Sequence, residues 1–347
     1  MPATPLNDVV DQLVIDESGV SVNDRTVLVV GSVAAAAYAL EAGARVLAFC
    51  DSAVEQSALP RGVERVTPAD DLGPVDLAWV RLPRDLDELD QWCAWIAASG
   101  AAFVGGARSK HLNPSMNTVI ARHFGDVRAS LGRNKSRVLH GNDPRPQAAS
   151  RPGGAWPRWG QVDLPAPSGG TSATRVAHHG GTFASGRIDP GTRLLLQHLH
   201  QVVSVGAERV LDWGSGAGII TTALAGLLPQ ARLDAVDLSW AGAEATRLTL
   251  TANDITAEVH WADGNALLAA SDDYDLVVSN PPFHAGVAKD SSATESLIEI
   301  ATQRLLPGGE LWLVHNSHLP WLRLMRRHGF AEVVAQNSGY TVSRLHR

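Results

Sequence analysis

Residues 209–218 read Arg-Val-Leu-Asp-Trp-Gly-Ser-Gly-Ala-Gly, and the order of these residue types decides the fold. A short apolar run ends in an acid. Three alternating glycines, Gly214, Gly216 and Gly218, then open onto an apolar helix-like stretch, IITTALAGLL. A second apolar run, residues 232–238 (RLDAVDL), ends at Asp237. Strand, glycine turn, helix and strand make a βαβ unit of a parallel sheet. The plan occurs earlier as well: residues 26–31 (TVLVVG), an Ala-rich stretch, then residues 45–51 (RVLAFCD) ending at Asp51. The chain is therefore expected to be α/β, with two tandem doubly wound, Rossmann-like domains, as a duplication would leave them.

A length of 347 residues suits two domains, each able to bury its own core. Residues 141–173 are dense in Pro and Gly, which break helix and strand periodicity alike. The expected division is a first domain over 1–140, a basic Pro/Gly-rich linker over 141–173 and a second domain over 174–347. The most apolar stretch, Val27–Leu40, is too short to span a membrane and is interrupted by Gly31 and Ser32. The N-terminus lacks the pattern of a signal peptide. Cys50 and Cys93 have no metal-ligand spacing. These features suit a cytoplasmic protein with no membrane segment and no metal.

Net charge is −7, yet from Ala101 to Gly160 ten basic residues stand against two acidic ones. Such a run can hold a polyanion by displacing counterions from its phosphates, with Arg133, Lys135 and Arg137 as candidate RNA contacts. A solvated connector explains the same excess.

In an open parallel sheet, ligands bind beyond the carboxyl ends of the strands. Asp212 at that position would repel a phosphate but suits the amino group of a zwitterionic, cationic ligand. Asp237, after the second strand, is placed to accept from ribose hydroxyls. Asp263, after the third, is placed to accept from an adenine amine. Helix capping would explain any one such acid. It does not explain three in succession with the glycines after the first. The earlier copy has only Gly31 in its turn, and the alanines that follow are expected to crowd a ligand, so that domain reads as degenerate.

After a fourth apolar run (YDLVVSN) come Asn280-Pro281-Pro282-Phe283. The prolines fix a turn and remove backbone donors, leaving the Asn280 oxygen and the Pro281 carbonyl as acceptors beside an aromatic face. An exocyclic amine donates both hydrogens to such a pair, and Phe283 would stack on its base. A strand-capping turn with Phe283 in a core is the plainer alternative. His284 either touches substrate or lies at the surface.

These residues resemble the class I S-adenosylmethionine-dependent methyltransferases. More narrowly, the chain is similar to the ribosomal RNA guanine-N2 methyltransferases of the small and large subunits, which carry tandem methyltransferase-like domains. The likeness spans nearly the whole chain. It includes Thr182-Phe183 through Asp189-Pro-Gly191-Thr, then VLDWGSGAG, DAVDLS, SNPPFH, LLPGGELWLVHNSHLP and a Tyr340-Thr-Val ending. In the first half it includes Leu82-Pro-Arg-Asp-Leu, GGARSKHLNPSMNTV and ASLGRNKSRVLHG.

The resemblance implies S-adenosylmethionine held by Asp212, Gly214, Gly216, Gly218, Asp237 and Asp263, with Phe183, Leu238, Gly264 and Asn280 around it. It also implies catalysis at Asn280, Pro281, Pro282 and Phe283. The implied substrate is a guanine N2 amine in ribosomal RNA or a ribosomal subunit; methyl transfer from a sulfonium requires no metal, and the enzyme is expected to act as a monomer. Trp213 and Ser215 depart from the family's small aliphatic residue and cysteine or asparagine, and Trp213 is expected to reshape the pocket. Three other functions fit parts of this pattern: a protein glutamine-N5 methyltransferase, a DNA adenine-N6 methyltransferase, and a non-catalytic RNA-binding or ribosome-assembly protein.

Overall fold

The computed structural model describes residues 6–145, 155–165, 170–271, 273–281 and 288–347, without the side chains of 203–205 and 288–291. The chain divides into two compact units: Met1–Arg158 with His179–Gly181, and Trp159–His178 with Thr182–Arg347.

The first unit opens with α1 (Val9–Ser18), β1 (Thr26–Val30), α2 (Val33–Glu41), β2 (Arg45–Phe49) and α3 (Ala53–Ser57). It continues through β3 (Glu64–Arg65), β4 (Leu77–Arg81), α4 (Leu86–Ala98), β5 (Ala102–Arg108) and α5 (Ser115–Ile120). It closes with β6 (Phe124–Ala129) and β7 (Ser136–Pro144). The sheet order is β3-β2-β1-β4-β5-β7-β6, with the first five of these strands parallel and β7 and β6 antiparallel at one edge. Its inner strands are continuous apolar runs because both faces are covered.

Two further strands follow, β8 (Arg158–Pro165) and β9 (Thr171–His178), pairing as a ribbon. The stretch expected to be a linker therefore carries strand: β7 runs on to Pro144 and β8 begins at Arg158. Val162 and Leu164 lie two apart, so they share one face of β8 and pack into the second unit's core. The Pro and Gly residues around them hid this alternation.

The second unit contains α6 (Pro190–His198), β10 (Arg209–Trp213), α7 (Ile219–Leu227), β11 (Arg232–Asp237), α8 (Trp240–Ala252) and β12 (Glu258–Trp261). Then come α9 (Gly264–Ala270), β13 (Tyr274–Ser279), α10 (Ala288–Arg304), β14 (Leu305–Asn316), α11 (Trp321–His328), β15 (Phe330–Gln336) and β16 (Tyr340–His346). Its sheet order, β12-β11-β10-β13-β14-β16-β15, matches that of the first unit position for position. Two apolar clusters cover its faces. One forms around α6 and α7 with Val210, Leu276 and Trp312; the other includes Leu211, Trp213, Leu297 and Met325. Among the described residues no helix is long and apolar enough to cross a membrane.

Candidate active site

The glycine loop follows from the end of β10. Gly214 turns the chain at φ 78°, and its amide donates to the Val236 carbonyl at 2.8 Å, tying the turn to β11. A Cβ on Gly214 would meet nothing within 4 Å, so the loop has open space on its outer side. Gly218 is constrained instead: its φ is 76°, and a Cβ would stand 3.1 Å from Thr246 Cα. Only glycine both adopts that backbone and lets α8 approach so closely.

Asp212 and Trp213 are neighbours in a strand and therefore project to opposite faces. Asp212 is 1% exposed, and the Thr221 hydroxyl donates to its Oδ2 at 2.5 Å. Its other oxygen is buried without a partner among the described residues. Burial pushes this carboxyl up to about 7; hydrogen bonds from Thr221 pull it down and the Asp237 charge raises it further. A cationic ammonium beside Asp212 would satisfy the orphaned oxygen.

Trp213 turns away from the loop and packs under the start of α9. A Cβ on Gly264 would lie 2.4 Å from its Nε1. The indole thus sits where position 264 has no side chain. Trp213, expected to reshape the cofactor pocket, packs against Gly264, which makes room for it and is itself one of the residues expected around the cofactor.

Asp237 accepts from the Gly216 amide at 2.8 Å and from the Ser239 amide at 2.9 Å, so it holds the glycine loop. A carboxylate has further lone-pair sites for hydroxyl donors. Asp263 is exposed and caps α9, accepting from the Asn265 and Ala266 amides at 2.9 and 3.4 Å. Two apolar residues stand exposed in this region, Phe183 at 58% and Leu238 at 47%. The Phe183 Cβ lies 3.9 Å from where a Gly216 Cβ would be. An orphaned buried carboxylate oxygen, an open glycine turn and exposed apolar residues suit S-adenosylmethionine's ammonium, nucleoside and adenine.

Asn280 follows β13, whose last residue, Ser279, pairs with Trp213. The sequence thus places the glycine loop and Asn280 on adjacent strand ends. The Asn280 Nδ2 donates to Thr192 Oγ1 at 2.8 Å and to Asp189 Oδ2 at 3.2 Å. Its Oδ1 is buried and unpartnered among the described residues. In the sequence Asp189 and Thr192 stand out only as the ends of the Asp-Pro-Gly-Thr motif. Asp189-Pro190 reads as a helix start with proline in the first turn, but nothing local signals a bond across 91 residues. Pro281 is buried; Pro282, Phe283 and His284 lie outside the described residues.

The first unit has the same turn at Gly31, φ 78°, whose amide donates to the Phe49 carbonyl at 2.8 Å. The alanines do not crowd it, contrary to expectation. Ser32 caps α2 at once by accepting from the Ala35 amide at 3.1 Å, which places the alanines in the helix. The strand ends are instead occupied by a polar cluster. The Ser32 hydroxyl donates to Asp11 Oδ2 at 2.7 Å, Arg81 Nε to Asp11 Oδ1 at 3.0 Å, and Arg81 also pairs with Asp8.

Among the candidate RNA contacts, Arg133 pairs with Asp16. Lys135 and Arg137 are exposed and have no ion-pair partner among the described residues. Asn134 and Lys135 both take left-handed φ (51° and 57°), forming a two-residue turn closed by reciprocal bonds between Arg133 and Ser136. Beside it, Leu131 is 88% exposed.

Fold and site define a class I methyltransferase, using S-adenosylmethionine, with a second sheet of the same order before it. The family model for the methyltransferase small domain matches residues 173–344, and that for the RLMG N-terminal domain matches residues 8–145. A ribosomal RNA large subunit methyltransferase G from Ectopseudomonas mendocina is 30% identical over 98% of this chain and 94% of its own length. One from Streptomyces avermitilis is 35% identical over 78% of this chain and 70% of its own. The chain belongs to the ribosomal RNA large subunit methyltransferase G family. Among solved structures, a 16S rRNA N2-guanine methyltransferase from T. thermophilus, in complex with AdoMet and guanosine, superposes with TM-score 0.75. It covers 99% of this chain and 93% of its own at 22% identity, a likeness of fold.

Proposed function

We propose that this chain methylates the N2 amine of a guanine in ribosomal RNA. The observation that carries this reading is the buried, unpartnered Asn280 Oδ1 beside the glycine loop. An acceptor at that place matches an amine about to be methylated, and the names of the relatives supply the RNA. S-adenosylmethionine supplies a methyl on a sulfonium, and the C–S electron pair returns to sulfur as the N–C bond forms.

Asp212 holds the ammonium, Asp237 the ribose and Asp263 the adenine amine. Gly214, Gly216 and Gly218 leave room for the cofactor, and Phe183, Leu238 and Gly264 bound it. The Asn280 oxygen and the Pro281 carbonyl accept the two N2 hydrogens and orient the lone pair, and the Pro282-Phe283 sequence that follows offers a rigid proline and an aromatic ring for the base. Neither acceptor is a base, so the proton that N2 sheds passes to water.

Residues 174–347 carry this chemistry. Residues 1–140 capture RNA through Lys135 and Arg137, with Arg133 weaker because of Asp16, and 141–173 join the two. The enzyme works as a cytoplasmic monomer without metal. The grouping of Asp234, Glu258 and His260 is compensated by Arg232, 2.8 Å from Glu258, and by Arg209, 3.5 Å from Asp234.

Incubation with labelled S-adenosylmethionine and deproteinised ribosomal RNA, followed by nucleoside mass spectrometry, tests the reading. N2-methylguanosine is expected. N6-methyladenosine or methylglutamine as sole product overturns it.

A further inference from the structure

Asn280 is held from behind. Asp189 is the N-cap of α6, its carboxylate accepting from the Gly191 and Thr192 amides. Thr192 is buried three residues into that helix's first turn. Both accept from the Asn280 Nδ2, at 3.2 and 2.8 Å. A carboxylate can only accept, so the nitrogen side of the amide must face Asp189 and the oxygen must face away. The oxygen left over is the unpartnered Oδ1.

We infer that Asp189 and Thr192 are positioning residues that fix the Asn280 amide with its oxygen turned to the substrate amine. The assignment rests on the amine-methylation reading above. The charge on Asp189 also polarises the amide, strengthening Oδ1 as an acceptor while the amine nitrogen gains positive charge.

The first unit supplies an independent view of the same grip. Val30 pairs with Val80 as Trp213 pairs with Ser279, so Arg81 occupies the position of Asn280. Asp8 is the N-cap of α1 and Asp11 lies three residues on, as Asp189 and Thr192 do in α6. Both hold Arg81. The helix-to-strand clasp is thus present twice, and only the second copy clasps a side chain with an acceptor to spare.

Asp189→Asn keeps a good N-cap but removes the charge; Thr192→Val removes the acceptor, and Thr192→Ser restores it. Single-turnover methylation at saturating S-adenosylmethionine is expected to slow by roughly 10- to 100-fold in Asp189→Asn and Thr192→Val. Thr192→Ser should return to within about threefold of wild type, and calorimetry should show cofactor affinity changed by no more than about threefold. In an Asn280→Ala background, Asp189→Asn should cost nothing further.

Wild-type rates in both Asp189→Asn and Thr192→Val, or equal losses in Thr192→Ser and Thr192→Val, overturn the inference. So does an additive loss on top of Asn280→Ala. A wild type that methylates no RNA breaks the functional reading instead. The clasp is then judged by the Asn280 side-chain amide resonances, protected from solvent exchange in wild type and unprotected in Thr192→Val; identical protection overturns it.

Discussion

After Val30 the first half of the chain turns at Gly31 and enters α2 within two residues; after Trp213 the second half makes the same turn at Gly214 and spends four more residues before α7. Sheet order, turn φ and the amide bond to the neighbouring strand agree between the halves. What differs is a handful of residues beyond the strand ends. In the first half Asp8, Asp11, Ser32 and Arg81 satisfy one another there. In the second, Asp212 and Asn280 each keep a buried oxygen without a partner among the described residues. Continuous apolar runs make the fold, whereas unmet polar groups make the site. A buried acceptor left open costs on the order of 1–3 kcal/mol, a strain suited to a place where a ligand binds.

The comparison breaks most sharply if its decisive residue is exchanged. Asn280→Arg copies the first half into the second and puts a cation where the amine must dock. Methyl transfer should fall by roughly a thousandfold or more, as for loss of a transition-state contact compounded by repulsion; substantial residual turnover would show the amide to be dispensable. The reverse exchange, Arg81→Asn, should create no cofactor site, because α2 begins too soon. It leaves the buried Asp11 without its cation and should lower stability by about 3 kcal/mol, read by denaturant unfolding. Calorimetry should still give one S-adenosylmethionine per chain; two would erase the distinction between the halves.

A smaller effect sharpens the contrast through pH. With its carboxyl at about 7, Asp212 takes up a proton as pH falls through neutrality, and only the anion pairs with an ammonium. Affinity for S-adenosylmethionine should therefore be about tenfold weaker at pH 6 than at pH 8, and Asp212→Asn should be weak and flat across that range. The mildest expectation concerns RNA. Replacing Lys135 and Arg137 by Ala should flatten the salt dependence of binding by about 1.4 in log–log slope on unpaired strands. Arg133→Ala should change it less, because Asp16 already neutralises that cation. Equal changes from Arg133 and Lys135 would mean the ion pair opens on binding.

Much of this was legible in the sequence. Glycines 214, 216 and 218 with Asp212 announced the loop, since few other patterns need open backbone and an acid at a strand end. The direction of Trp213 follows from the two-residue period of a strand, which turns its bulk from the Asp212 face toward Gly264. Asp237 ties a loop and Asp263 caps a helix, and composition cannot separate those roles from ligand binding. The clasp on Asn280 was invisible because its partners lie 88 and 91 residues away. Tertiary structure alone brings the first turn of α6 to the end of β13. The polar plug in the first half was hidden for the same reason, with Asp11 and Arg81 separated by 70 residues.

That clasp has a bearing on descent. If both halves come from one ancestral domain, the helix-to-strand grip was inherited by both and is older than the specialisation of either. The ancestor needed no new architecture to retire one copy. On that descent, a guanidinium in place of an amide at one strand end, with an acid in place of the threonine, makes an internal ion pair of the position that Asn280 holds in the second half. The ion pair would then hold the first copy in shape and leave its outer surface, including the Asn134–Lys135 turn, free for another task.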